Sequence, residues 1–211
     1  MTGGSAVARL GVLLSGRGSN FLAIQHAIAA GDLPAKIVQV VSNVEGAAGL
    51  TKARELGLAT AAVVQREGED RLAQERRVIE ALASARVDWV CLAGYMRLLS
   101  PEFVQRFPRR IVNIHPSLLP SFPGLDAHGQ ALEHGVRISG CTVHLVDEGM
   151  DTGPIIVQRA VPVLDGDDAE SLAARILIEE HRAYPEALRL LLEAPWEVAG
   201  RKFFLREKAS G

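Results

Sequence analysis

The sequence predicts an α/β fold: a mostly parallel, Rossmann-like sheet with helices on both faces and an antiparallel C-terminal portion. Three observations carry that expectation. Short continuous apolar runs alternate with segments of helical spacing through the first half, as strands buried on both faces alternate with the helices that cover them. The loops Ser15 to Asn20, Gly94 to Leu99 and Asn113 to Pro120 each follow an apolar run, so in a parallel sheet they share the carboxyl edge, where ligands bind. In the second half two apolar strands flank a short acidic loop, the pattern of an antiparallel pair.

Arg9 to Leu14 is the first strand, broken by Ser15-Gly16-Arg17-Gly18-Ser19-Asn20. Phe21 to Ala30 has helical spacing and stops at Gly31. Ile37 to Val41 is a strand, Gly46 to Leu56 a helix stopped by Gly57, and Thr60 to Val64 a strand. Asp70 to Ala85 is a long helix with Leu72, Val78, Ile79 and Leu82 on its apolar face. Val87 to Ala93 is a strand, and Ser100-Pro101 is an N-cap followed by proline at the first helical position, opening a helix that ends near Phe107-Pro108. Ile111-Val112 closes another buried strand. Ala127 to His134 is a short helix; Ser139 to Val146 and Pro154 to Val163 are the antiparallel strands. Asp168 to Leu192 is a long helix with Ala169, Leu172, Ile176, Ala183 and Leu188 on its stripe, and Pro185 is a point of kinking or interruption. Trp196 to Leu205, with Gly200-Arg201 near its middle, reads as a terminal hairpin.

Composition narrows the class. The 211 residues, 48% apolar and 23% charged, suit one globular domain over 9–211, with residues 1–8 a disordered lead. A net charge of -2 with scattered Lys and Arg gives no basic surface for nucleic acid. No apolar run reaches transmembrane length and the start lacks a signal-peptide pattern, so the expectation is a cytoplasmic protein, monomer or homodimer, acting on small molecules. Cys91 and Cys141 sit in apolar runs and read as reduced core thiols.

The glycine-rich turn is a candidate anion site, because bare amides at a helix N-terminus point at whatever docks there, and Ser19 and Asn20 add side-chain donors. The triphosphate signature is absent, the third glycine of a dinucleotide turn is missing, and Asn43 stands where a ribose-binding acid is usual. A phosphate monoester fits best; a tight turn without ligand is the alternative.

Asn113-Ile114-His115-Pro116-Ser117-Leu118-Leu119-Pro120 is the stretch around which the chain is organised. A carboxamide and an imidazole two residues apart share one face of an extended strand. Both are donors that can converge on a developing oxyanion. A second polar island, Asp147-Glu148-Gly149-Met150-Asp151-Thr152-Gly153-Pro154, follows another strand. The two loops are expected to meet, with Asp151 favouring the charged form of His115. His26, His128, His134, His144 and His181 show no zinc spacing, and no serine elbow is present, so metal-free, non-covalent oxyanion chemistry is the expectation.

The turn Ser15 to Asn20, the stretch Leu92 to Pro101, and the blocks Asn113 to Pro120 and Asp147 to Pro154, in that order between Arg9 and Leu192, resemble the glycinamide ribonucleotide formyltransferase family, folate-dependent enzymes of purine synthesis. The resemblance implies the formyltransferase fold and passage of a formyl group from 10-formyltetrahydrofolate, as co-substrate, to the glycine amine of 5'-phosphoribosylglycinamide. It implies that Gly18, Ser19 and Asn20 hold the phosphate and Glu180 the ribose hydroxyls. It implies a folate pocket of Arg71, Met96, Arg97, Leu98 and Leu99 with Asn113 and the segment Asp147, Glu148, Gly149, Met150 and Asp151. Asn113, His115 and Asp151 are the implied catalytic set. Asp126 stands where many family members carry histidine, and His128 is retained in a supporting place. Two sister families share the Asn-x-His core: methionyl-tRNA formyltransferase, with an added basic tRNA-binding domain, and formyltetrahydrofolate hydrolase, with an added N-terminal regulatory domain. Length and negative charge set the expectation against the first, and a first strand beginning at Arg9 against the second; a phosphate-ligand sensor or an assembly scaffold are the non-enzymatic alternatives.

Overall fold

The structure, a computed structural model, describes residues 7–206. Of the expected lead over residues 1–8, residues 1–6 lie outside the described residues. Two compact units divide between Arg110 and Ile111.

The first unit alternates strand and helix: β1 (Ala8–Leu14), α1 (Ser19–Ala29), β2 (Ala35–Ser42), α2 (Ala48–Glu55), β3 (Thr60–Ala62), α3 (Arg71–Ser84), β4 (Trp89–Leu92) and α4 (Pro101–Arg106). The strands stand in the order β3-β2-β1-β4, every pair parallel. Such pairing needs long crossovers, which α1, α2 and α3 supply. Leu10, Val12, Leu13 and Leu14 of β1 and all of β4 are buried, which is why these strands read as unbroken apolar runs.

Several element ends differ from the expected ones by a residue or two. The expected strands Thr60 to Val64 and Val87 to Ala93 shorten to β3 and β4, and the helix over Gly46 to Leu56 shortens to α2. Ser100 caps α4 as expected, its hydroxyl accepting from the Phe103 amide, with Pro101 next. That hydroxyl donates in turn to the buried carboxylate of Glu75, whose other oxygen accepts from the Ser100 amide at 2.9 Å.

The second unit comprises β5 (Ile111–His115), α5 (Ala127–Glu133), β6 (Ile138–Leu145), β7 (Ile155–Pro162), α6 (Ala169–Glu193), β8 (Trp196–Ala199) and β9 (Lys202–Leu205). The order is β5-β6-β7-β9-β8. β6 pairs antiparallel with β5 and β7, β8 with β9, and β9 meets β7 in parallel. The antiparallel C-terminal portion and the terminal hairpin are therefore present.

α6 packs on β6 and β7 through buried Leu172, Ile176, Ala183 and Leu188. Ala169, expected on that stripe, is exposed, because it is the first residue after the Asp168 cap and precedes the contact. Asp168 and Ser171 form a reciprocal capping box. The helix runs through Pro185 without a break, and the buried Tyr184 beside it donates its phenol to the Val112 carbonyl at 2.9 Å. That bond ties α6 to β5 one residue before Asn113.

Candidate active site

β5 does not end at Val112. It continues through Asn113 and His115, so both side chains are mounted on regular strand. β6 runs beside it with Asn113 opposite His144 and His115 opposite Thr142. Asp151 closes the group from the loop between β6 and β7. Its Oδ2 lies 3.4 Å from Nδ1 of His115 and its Oδ1 lies 3.6 Å from Nε2 of His144. The expected meeting of the two polar loops is thus realised within this unit, and it includes an imidazole, His144, that the sequence reading left aside.

The backbone explains how Asp151 reaches inward. Its φ is 55°, a left-handed conformation that Asp tolerates better than most residues. Nearby Gly153 has no alternative: a Cβ there would stand 1.8 Å from the Leu145 carbonyl oxygen. The loop is braced from inside by Asp147, whose Oδ1 accepts from the Gly149 amide at 3.1 Å and the Thr152 hydroxyl at 2.6 Å.

The loop after β5 is fixed just as closely. Thr142 Oγ1 accepts from the Leu119 amide at 3.0 Å and donates to the Ser117 carbonyl at 2.6 Å. Gln158 Nε2 donates to the Leu119 carbonyl at 2.9 Å and to Thr142 Oγ1 at 3.0 Å. The buried Ser117 hydroxyl donates to the Ser121 carbonyl at 2.5 Å. So held, the loop presents two backbone groups to the side chains. The Phe122 carbonyl accepts from His115 Nε2 at 2.8 Å, and the Gly124 amide donates to Asp151 Oδ2 at 2.8 Å.

Electrostatics follow from this packing. Burial pushes the Asp151 carboxyl up, but its contacts with the His144 ring, the Gly124 amide and the His115 ring outweigh it, and the group is held below the usual aspartate value. Both nitrogens of His115 face oxygen, Nε2 the Phe122 carbonyl at 2.8 Å and Nδ1 the Asp151 carboxylate at 3.4 Å. Burial holds His128 below the usual histidine range; Asp126 opposes this and His115 adds to it. Asp126 is the N-cap of α5, with φ 55° and its carboxylate accepting from the Gly129 amide, which accounts for an acid at that position.

Glu180 is buried on α6, and its charge, after burial itself, helps push the Cys141 thiol up to about 12. Cys91 and Cys141 are both buried in the core, as the apolar runs around them imply.

In the first unit the glycine turn, the end of β2 and the segment after β4 converge on Ser15. Its hydroxyl donates to Asn43 Oδ1 at 2.5 Å and accepts from the Met96 amide at 2.8 Å, while its own amide donates to the Gly94 carbonyl at 2.9 Å. Gly18 is the N-cap of α1, at φ 72°, and as a glycine it sets no side chain across the helix end. Gly18 is also required sterically, since a Cβ there would lie 2.8 Å from Gly49 Cα of α2. Arg71 Nη1 donates to the Leu98 carbonyl at 3.0 Å and Arg97 Nη1 to Gln65 Oε1 at 3.0 Å. Arg71 is thereby joined to the Met96–Leu99 segment. Met96 and Leu98 are exposed and Leu99 is buried.

Among the described residues no group of three or more metal-binding side chains gathers, and no helix is long and apolar enough to cross a membrane.

The Formyl transferase family matches residues 8–188. The phosphoribosylglycinamide formyltransferase of Escherichia coli is 43% identical over 82% of this chain and 82% of its own length. The trifunctional purine biosynthetic protein adenosine-3 of Drosophila pseudoobscura pseudoobscura is 50% identical over 87% of this chain, which spans only 14% of that protein. Among solved structures, glycinamide ribonucleotide transformylase 1 from Symbiobacterium toebii superposes with a TM-score of 0.93 at 48% identity, covering 96% of this chain and 95% of that one.

Proposed function

The chain belongs to the formyl transferase family, and on that premise we propose that it transfers the formyl group of 10-formyltetrahydrofolate to the glycine amine of 5'-phosphoribosylglycinamide, giving 5'-phosphoribosyl-N-formylglycinamide and tetrahydrofolate in purine biosynthesis. The observation that carries this reading is the convergence of Asn113, His115 and Asp151 at the end of β5, in a chain 43% identical to a phosphoribosylglycinamide formyltransferase. Residues 9–211 act as one catalytic domain on small molecules, in the cytoplasm, as monomer or homodimer.

Gly18, Ser19 and Asn20, at the N-terminus of α1, take the substrate phosphate through backbone amides and the Ser19 side chain, as helix N-termini do. Glu180 takes the ribose hydroxyls. Arg71, Met96, Arg97, Leu98 and Leu99, with the loop Asp147 to Asp151, take the folate.

In the transfer, the neutral amine attacks the formyl carbon, and the carbonyl electrons move to oxygen. An N–H of Asn113 and the imidazolium of His115 meet that oxyanion. Of the two His115 protons, the one on Nε2 is committed to Phe122 at 2.8 Å. The one on Nδ1 faces Asp151 at 3.4 Å, too long for a formed hydrogen bond, and is the one available. Asp151 sets a carboxylate beside the imidazole. Collapse of the intermediate breaks the bond to the folate nitrogen, which receives the proton lost by the amine through water at Asp151. Holding both substrates together supplies much of the rate.

An absorbance assay for tetrahydrofolate, run with and without phosphoribosylglycinamide, tests the reading. Product formation that requires the amine substrate supports it. Donor breakdown independent of that substrate would point to a hydrolase instead.

A further inference from the structure

The partners of His144 fix the orientation of another side chain. His144 is buried and stands directly across from Asn113 in the β5–β6 pair. Its Nδ1 lies 2.9 Å from the Leu145 carbonyl oxygen, which can only accept, so Nδ1 carries a proton. Its Nε2 lies 3.2 Å from Nδ2 of Asn113 and 3.6 Å from Oδ1 of Asp151. The first is a hydrogen-bond separation and the second is not. An amide nitrogen can only donate, so Nε2 accepts, and the ring is neutral.

We propose that His144 is a positioning residue for formyl transfer: its neutral Nε2 accepts one Nδ2 hydrogen of Asn113 and fixes the plane of the carboxamide, leaving the second hydrogen for the developing oxyanion. The inference rests on the formyl-transfer reading above. The need for such a device is physical. The terminal torsion of asparagine has a broad, roughly two-fold well, so a carboxamide on a strand does not choose its own orientation. A donor that must reorient during the reaction loses much of its value, because the stabilisation comes from preorganisation. Here the lone pair of Nε2 selects the nitrogen end of Asn113, since the oxygen end would set two acceptors against each other. The strand register supplies the approach, as cross-strand neighbours lie side by side. His144 touches no reacting atom in this scheme; it acts through Asn113.

Two measurements test the proposal. The first needs no catalysis: in ¹⁵N NMR of the wild-type protein, Nε2 of His144 gives the shift of an unprotonated ring nitrogen and shows a coupling across the hydrogen bond to Asn113 Nδ2. A protonated Nε2 with no such coupling overturns the proposal, whatever the enzyme's substrate proves to be. The second is a double-mutant cycle. His144→Leu lowers kcat by roughly 10²-fold with KM within about threefold, the pattern of a lost oxyanion donor. His144→Gln, which offers an acceptor again, recovers most of that loss. In an Asn113→Ala background, His144→Leu costs less than about threefold more, because the residue it served is gone. Equal losses in both backgrounds, in proteins of unchanged melting temperature, overturn the proposal. Should the leucine variant not fold, the NMR measurement decides. Failure of the functional reading shows separately, as absent wild-type turnover with phosphoribosylglycinamide.

Discussion

The Gly124 amide donates to the Asp151 carboxylate across 2.8 Å, so the loop that leaves β5 and the loop between β6 and β7 are fastened to each other at the acid itself. Asp151 therefore has two duties, one as a charge beside His115 and one as the acceptor that joins two loops.

The first duty gives a pH prediction. The Asp151 carboxyl lies below its unfolded value in the folded protein. Such a group contributes stability above the unfolded aspartate pKa, about 3.9, and that contribution fades as pH falls through the folded value. Asp151→Asn should therefore be less stable than wild type at pH 7, and the gap should narrow as pH drops below about 4. Urea midpoints of both proteins between pH 7 and 3 measure it. A gap independent of pH would mean that the carboxylate charge is not what stabilises the loops.

Asn113→Ala should lower kcat by roughly 10²-fold or more while KM moves far less, the usual result of deleting one oxyanion donor. Steady-state kinetics decide. A raised KM with normal kcat would make Asn113 a substrate-holding residue.

Ser19→Ala should raise KM for phosphoribosylglycinamide about tenfold with kcat little changed, since a hydrogen bond to a charged group contributes about 1.5–3 kcal/mol. Gly18→Val is a poor probe of the same site, because φ 72° and a Cβ contact of 2.8 Å with Gly49 would disturb the fold regardless of any ligand. Calorimetry with the substrate checks the serine variant, and unchanged affinity would remove Ser19 from the phosphate site.

Thr142→Val should cost about 1–3 kcal/mol, because the buried Leu119 amide loses its acceptor. Activity should fall as well, since the same threonine holds the loop that delivers the Phe122 carbonyl to His115. Chemical denaturation and kcat on the same protein test both halves. Full activity in a destabilised variant would show that the loop keeps its shape without the clamp.

Much of this was legible in the sequence because it depends on periodicity. The buried strands β1 and β4 announce themselves as unbroken apolar runs, and the alternation Asn113-Ile114-His115 states which side chains share a face. What escaped notice depends on registers and backbone groups. His144 lies in the apolar stretch Cys141 to Leu145 and looks like a core histidine. The available signal was the alternation Thr142-Val143-His144 running antiparallel to Asn113-Ile114-His115, but the register that sets His144 opposite Asn113 is a property of the folded sheet. The Phe122 carbonyl and the Gly124 amide have no side-chain signature at all. Buried Gln74 and Glu75 on α3 lie outside the apolar set Leu72, Val78, Ile79 and Leu82, because their burial comes with partners outside the helix, Val63 and Ser100.

The Tyr184 bond to Val112 makes α6 a gauge as well as a cover. Glu180 lies four residues before Tyr184, one turn away on the same side of the helix, about 6 Å along its axis. The Glu180 carboxylate is thereby spaced from the strand bearing Asn113 by a single helical turn. Inserting one residue between 180 and 184 would swing the carboxylate about 100° around the axis while the phenol stayed in place. Length variation between 180 and 184 is thus opposed by angular phase rather than by loss of buried surface.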